Sequence, residues 1–278
     1  MQQEIIRWYR KNKRDLPWRS TTAWGVLVSE FMLQQTPVAR VLPVWREWME
    51  RWPDPKALAQ TSRAEVIRAW GTLGYPRRAI RLHETSMILV NEFDSTVPDN
   101  LDALRRLPGV GEYTAAAIIA FAFGKKSLVL DTNIRRLFAR MIDGYEFPNL
   151  NQTLEERTKR ELLIPRNAST WAAGTMELGA LICTARNPKC NLCPVSEICR
   201  WKKAGFPKSE IKKKSQEWHG TNRQCRGVIL KELREKDHST SKRLNEIWSN
   251  QSQLEEALKS LIADGFIKKT KDKYSLIN

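Results

Sequence analysis

Apolar residues recur at three- and four-residue spacing through most of residues 1–200, as in EVIRAWGTLGY at 65–75 and DALRRL at 102–107. This spacing predicts helices with one buried face. Period-two alternation is scarce before the C-terminus, so a main all-α domain is predicted over 1–203. Breakers at Pro17, Pro37, Pro53, Pro55, Pro76, Pro98, Pro108 with Gly109, and Pro165 divide it into about ten helices of ordinary length. No internal repeat is visible. The segment 206–224, FPKSEIKKKSQEWHGTNRQ, is polar and Lys-rich and reads as a linker, placed at 204–222. Beyond it, RGVILKEL, KRLNEIW and SQLEEALKSLIADG each suit a helix, and FIKKTKDKYSLI alternates like a hairpin with its turn near Lys271 and Asp272. Three short helices and a hairpin predict a winged-helix-like module over 223–278.

Charge adds a partner class to this outline. With 47 Lys and Arg against 31 Asp and Glu, the 278-residue chain carries a net +16 and a pI near 9.8. Such an excess attracts polyanions, nucleic acid first among them. It is spread evenly: residues 201–278 hold 18 basic and 10 acidic side chains, and residues 1–200 hold 29 and 21. The N-terminus has no apolar core of signal-peptide length, and no later stretch is apolar enough for a membrane span, so an intracellular, cytoplasmic protein is expected. In a reducing compartment, five cysteines with four inside 183–199 point to metal or cluster ligands rather than disulfides.

Within the apolar pattern one residue is out of place. Between residues 25 and 39 the only charged side chain is Glu30, in LVSEFMLQQTPVAR at 27–40. If 24–34 is helical, Val26, Leu27 and Leu33 share its face, and an apolar surround would raise its pKa and make it a proton donor near neutral pH. The plainer alternative is a helix-face Glu that reaches solvent or pairs with an Arg. Thr36 reads as an N-cap and Pro37 as a first helical residue, which leaves Gln34 and Gln35 in a tight connection where their amides suit base edges or simply form a polar loop. A second carboxylate, Asp131 in SLVLDTNIRRLFAR, stands where a helix should begin. As an N-cap it would be kept ionised at low pKa by backbone N–H groups and the helix dipole; structural capping alone is the alternative. One raised and one depressed carboxyl together suit glycoside cleavage, an acid for the leaving group and an anion for the oxocarbenium-like sugar.

Two further motifs concern binding. LPGVGEYTAAAIIAFAFG at 107–124 places Gly109 and Gly111 in a turn before a small-residue helix, where backbone N–H groups can approach a phosphate; it is a helix-hairpin-helix candidate or a plain Gly/Pro connection. CTARNPKCNLCPVSEIC spaces Cys183-x6-Cys190-x2-Cys193-x5-Cys199. A single Cys-x2-Cys pair fits an iron–sulfur cluster better than a zinc ribbon, with a structural zinc knot as the alternative. Arg186, Lys189, Arg200, Lys202 and Lys203 surround the motif, and Cys225 lies outside it as a lone thiol.

On these motifs, residues 1 to about 203 resemble the catalytic domain of the MutY family of adenine DNA glycosylases, in the superfamily that also holds endonuclease III. The resemblance implies a two-subdomain helix-hairpin-helix glycosylase fold with an iron–sulfur loop, and a [4Fe-4S] cluster on Cys183, Cys190, Cys193 and Cys199. It implies that Glu30 protonates departing adenine, that Asp131 stabilises the sugar cation, and that Tyr113 and Asn133 help position them. Tyr113 stands where the lyase branch carries a Schiff-base Lys, so a monofunctional enzyme is expected. Gln35 and Thr36 match the flipped-nucleotide region, with Gln34 beside them as a further base-contact candidate, Tyr75 the wedge beside the opposing base, and Trp18 and Arg19 the adenine-pocket entrance. Leu107, Gly109, Val110 and Gly111 match the DNA-gripping hairpin. The chain departs from the family in carrying Pro76 where a second Tyr is frequent, and in ending too soon for the Nudix-like domain that recognises 8-oxoguanine. The implied partner is double-stranded DNA with adenine opposite 8-oxoguanine or guanine, bound by a nucleoid-associated, bacterial-type monomer with no membrane partner. A thymine or uracil mismatch glycosylase, or a non-catalytic iron–sulfur DNA-binding protein, are the alternatives.

Overall fold

The structure, a computed structural model, describes residues 1–148, 160–161, 164–209 and 218–277. Its helices, in chain order, are α1 (Gln2–Asn12), α2 (Ala23–Leu33), α3 (Val38–Arg51), α4 (Pro55–Ala59), α5 (Arg63–Trp70), α6 (Arg77–Glu92) and α7 (Leu101–Arg106). There follow α8 (Glu112–Phe123), α9 (Thr132–Phe138), α10 (Ala168–Leu181), α11 (Arg200–Lys203), α12 (Asn222–Glu235), α13 (Ser241–Ile247) and α14 (Gln251–Ala263). Among the described residues, strands occur only near the C-terminus: β1 (Ser239–Thr240), β2 (Ile267–Thr270) and β3 (Lys273–Leu276). The mostly helical fold read from the spacing is therefore present. Residues 210–217, within the expected linker, lie outside the described residues.

The chain forms two compact units, one joining Met1–Glu30 to the stretch from Pro98, the other joining Phe31–Val97 to the C-terminal residues. In the first unit, α8 is apolar on every side and buries a run from Thr114 to Ala120. Its alanines admit close neighbours, and Ala116, Ala117 and Ala120 share a core with Ile5 of α1, Ile134 and Leu137 of α9, and Trp171 and Leu178 of α10. Such all-round hydrophobicity belongs to a central helix, not a surface one.

The second unit joins α3–α6 to the C-terminal helices. Trp48 packs edge-on against Trp52 and Trp70, with ring centroids 4.7 and 5.4 Å away. Ala64 and Ile67 of α5 and Ile80 of α6 share one core with Cys225, Ile229 and Leu233 of α12, Leu244 of α13, and Leu254, Leu258 and Leu261 of α14. The strands form an antiparallel sheet in the order β1-β3-β2, with Ile267 opposite Leu276 and Thr270 opposite Lys273. Lys271, at φ +55°, makes the expected hairpin turn. Ile267, Tyr274 and Leu276 are buried, as alternation requires. Among the described residues, no helix is long and apolar enough to cross a membrane.

Candidate active site

The lone carboxylate of the apolar run is buried. Helix α2 is hydrophobic throughout, with Val26, Leu27, Val28, Phe31 and Met32 all inside, and Glu30 is 5% exposed among them. It is shut away from solvent and, among the described residues, meets no arginine; the Tyr113 hydroxyl, at the start of α8, donates a hydrogen bond to it. Burial pushes the Glu30 carboxyl up to about 7, the Asp131 charge adds to the rise, and the Tyr113 bond opposes it. Burial beside two acids also holds the Tyr113 hydroxyl well above its ordinary range, so at neutral pH it is a donor.

Asp131 caps α9 as expected: its Oδ1 accepts the Ile134 N–H at 2.6 Å, and its Oδ2 accepts the Asn133 side-chain amide at 2.7 Å. The expected depression of its pKa is not found. Burial raises the carboxyl above its ordinary value, and the bonds from Ile134 and Asn133 and the charge of Arg136 only partly offset this. The cap bonds are present at the helix end, but desolvation, a tertiary effect, is larger. Asn133 Oδ1 in turn accepts from Arg136 Nη2 at 2.8 Å, and Arg136 Nε donates to the Cys183 carbonyl at 2.8 Å. Helix α10 presses on this point at Gly179, where a Cβ would stand 2.8 Å from the Asn133 Cβ and carbonyl oxygen.

Trp18 is buried and Arg19 half-buried. The partner of Arg19 was not foreseen: Glu177 of α10, 1% exposed, accepts from Arg19 Nη2 at 2.9 Å and from Arg14 Nε and Nη2 at 3.0 and 2.7 Å. Burial pushes the Glu177 carboxyl up, but the bonds from Arg14 and Arg19 outweigh it and hold it below its ordinary value. The signal was present, since Glu177 is the only charged residue of α10, as Glu30 is of α2.

In the second unit, helix α2 ends at Leu33 as expected, but Thr36 does not cap α3. Pro37 takes the N-cap position, and the Thr36 hydroxyl donates to the Leu73 carbonyl at 3.2 Å and accepts from Arg78 Nη2 at 2.9 Å. Arg78 is the reason. Buried in α6, it collects the carbonyls of Phe31, Met32 and Gln34 on one nitrogen and those of Leu73 and Gly74 on the other. It ties the Gln34–Gln35 connection to the loop that carries Tyr75. Gln35 and Tyr75 are exposed and both left-handed, at φ +56° and +47°, a costly conformation for such residues. Between α7 and α8, Gly109 has φ +82° and the Val110 N–H donates to Leu107 O. The Leu107 and Val110 side chains are buried, so this turn presents Gly109, Gly111 and backbone.

Cys183, Cys190, Cys193 and Cys199 line one cavity together with Arg140, Val195 and Trp201. Among the described residues, no three His, Cys, Asp or Glu side chains converge closely enough for a single metal ion. Thiols that ring a space suit a multi-iron cluster, in which each iron takes one thiolate, better than one tetrahedral zinc. Burial raises the Cys183 thiol, while Arg140 favours its thiolate, with Nη1 3.5 Å from Sγ. Arg140, also unforeseen, is fully buried: it donates to the carbonyls of Glu146, Thr184 and Ala185 and lies 4.4 Å over the Trp201 ring.

Known proteins share these features. The family described as "HhH-GPD superfamily base excision DNA repair protein" matches residues 28–160, and the "iron-sulfur binding domain of endonuclease III" matches residues 183–199. The adenine DNA glycosylase of Mycolicibacterium smegmatis is 46% identical over 97% of this chain and 93% of its own. A thermostable thymine-DNA glycosylase structure is 30% identical, with a TM-score of 0.67 over 73% of this chain and 95% of its own. Endonuclease III trapped on DNA shares the fold, at 22% identity and a TM-score of 0.64 over 74% of this chain and 95% of its own.

Proposed function

The chain belongs to the adenine DNA glycosylase family, within the helix-hairpin-helix superfamily of base excision DNA repair proteins, and from that premise we propose that it removes adenine mispaired with 8-oxoguanine or guanine in duplex DNA. The carrying observation is Glu30: a carboxyl with a pKa near 7, buried beside a second carboxyl and hydrogen-bonded by a tyrosine. Adenine, extruded from the stack, receives the Glu30 proton; the C1′–N9 bond breaks with its electron pair passing to the base. Asp131 faces the sugar cation that remains, held by Ile134 and Asn133. Water adds at C1′ and loses a proton, leaving adenine and an abasic site. Tyr113 offers a hydroxyl where a lyase needs an amine, so the strand is left intact.

Residues 183–199 are an iron–sulfur binding segment; a [4Fe-4S] cluster on Cys183, Cys190, Cys193 and Cys199 would cross-link the loop. Trp18 and Arg19 border the adenine site, Gln34, Gln35 and Thr36 the extruded nucleotide, and Tyr75 enters the stack. The backbone of Leu107, Gly109, Val110 and Gly111 holds phosphate. In this reading residues 1–203 carry catalysis, 204–222 link, and 223–278 act as a winged-helix-like module of a cytoplasmic, nucleoid-bound monomer.

The test is single-turnover base release by the iron-loaded protein on duplexes carrying A opposite 8-oxoguanine, A opposite G, T opposite G and A opposite T, developed with and without alkali. Alkali-dependent cleavage at adenine in the first two alone is expected. Cleavage at T opposite G would move the chain to the thymine branch, and no cleavage anywhere would leave a binding protein.

A further inference from the structure

Tyr75 has company in its own unit. Residues 218–221 form a fixed turn at the entrance to α12. Thr221 caps the helix by accepting the Gln224 N–H at 3.3 Å, and its hydroxyl donates to the Trp218 carbonyl at 2.8 Å. The Gly220 N–H donates to Gln224 Oε1 at 2.7 Å, and Gln253 Nε2 of α14 donates to the Gly220 carbonyl at 2.9 Å. A Cβ on Gly227 would stand 3.8 Å from the Trp218 ring, so the indole rests on α12. Held in this way, Trp218 is still 45% exposed, and Tyr75 is 47% exposed.

Arg223, in the first turn of α12, joins the two rings. Its guanidinium lies 5.0 Å over the Trp218 ring, and its Nη1 is 3.5 Å from Tyr75 Oη. Arg78 stands 5.6 Å from the Tyr75 ring and anchors its loop through the carbonyls of Leu73 and Gly74. Two exposed aromatic faces with a guanidinium between them match what stacks and hydrogen-bonds nucleobases: every base has a face for the rings, and guanine-type bases present an O6 acceptor that arginine reads.

We propose that Trp218, Arg223 and Tyr75 form one site for the base left opposite the extruded adenine, with Arg223 donating to the O6 of guanine or 8-oxoguanine and Trp218 stacking on the same strand. This rests on the adenine-glycosylase reading, and it assigns opposite-base discrimination to the C-terminal module together with the Tyr75 loop. Cytosine presents an amino donor at the equivalent position and would be refused by a guanidinium.

The experiment uses the full iron-loaded chain and measures Kd for duplexes carrying an abasic-site analogue opposite 8-oxoguanine, guanine or cytosine at one salt concentration. Adenine release from the matching duplexes is measured beside it. R223A is expected to lower the preference for guanine-type bases over cytosine about tenfold, with R223K restoring part of it, and W218A to weaken binding to all three duplexes. Melting temperature and iron content check folding, and R223Q, which keeps size and removes charge, decides the matter if R223A melts early. An equal loss opposite all three bases in R223A would assign Arg223 to phosphate and overturn the inference, as would an unchanged preference. A wild-type protein that releases no adenine would instead defeat the underlying reading.

Discussion

The first unit buries two glutamates, and it treats them in opposite ways. Glu177 is 1% exposed and Glu30 is 5% exposed, so neither side chain faces solvent, although Glu30 lies deeper in the protein and Glu177 nearer the surface. Around Glu177 the chain supplies Arg14 and Arg19, and the carboxyl stays ionised. Around Glu30 it supplies a tyrosine hydroxyl and another acid, and the carboxyl rises to about 7. Depth of burial and the charge of the partners together decide the chemistry of a carboxylate: Glu30 is deeper and lacks a cation, Glu177 is shallower and has two. One region is a permanent ion cluster that ties down the N-terminal segment, the other a carboxyl with a pKa raised to about 7. Arg78, in the second unit, completes the lesson. Burial lowers it to about 10, still far above neutrality, so it remains a cation and works by collecting carbonyls.

The comparison breaks most severely at Glu30. Glu30→Gln keeps the shape and the Tyr113 contact but removes the transferable proton; single-turnover adenine release is expected to fall about 10²- to 10⁴-fold, with duplex binding within about threefold. Loss of binding in parallel with activity would show that Glu30 acts through structure. Gly179→Ala comes next, because the backbone and Cβ of Asn133 have nowhere to go. Release is expected to fall at least about tenfold, with a melting loss of about 1–3 kcal/mol; an unperturbed rate would detach Asn133 from the reaction.

Arg14→Met attacks the other glutamate. It leaves Glu177 with Arg19 and is expected to cost about 1–3 kcal/mol at pH 7, discounted because Arg14 is partly exposed. Glu177 is depressed in the folded state, so its stabilisation is present above the unfolded pKa and lost as pH falls; denaturant titrations of this variant and wild type should converge in acid. Glu30 carries the reverse sign: its raised pKa makes the fold weaken as pH rises from about 4.5 toward 7. At pH 8, Glu30→Gln should therefore be more stable than wild type by on the order of 2–3 kcal/mol, and equal stability would argue against a displaced pKa. Smallest is Tyr113→Phe, which removes the bond that favours ionised Glu30 and should move the alkaline limb of the release rate to higher pH.

What was legible in the sequence was local. The lone Glu30 in an apolar run, the Gly turn at 107–111, and the spacing of four cysteines each sit within a few residues of the feature they specify. The errors came where a distant residue intervened. Thr36 has the composition of an N-cap, but Arg78, more than forty positions away in the chain, engages its hydroxyl. Asp131 has the bonds of a low-pKa cap, but the core around it outweighs them. Arg78 and Arg140 left no trace because their acceptors are mostly backbone carbonyls, which every residue type provides. Glu177 repeats the signal of Glu30, a lone acid in an apolar helix, but its arginine partners lie far off in sequence.

The most direct test of the claim that burial makes Glu30 the proton donor is the pH dependence of single-turnover adenine release opposite guanine. The rate should level off below about pH 7 and fall about tenfold per unit above it, and Glu30→Gln should lack that limb. A wild-type rate that stays flat to pH 9, or a limb that survives in Glu30→Gln, would contradict the account.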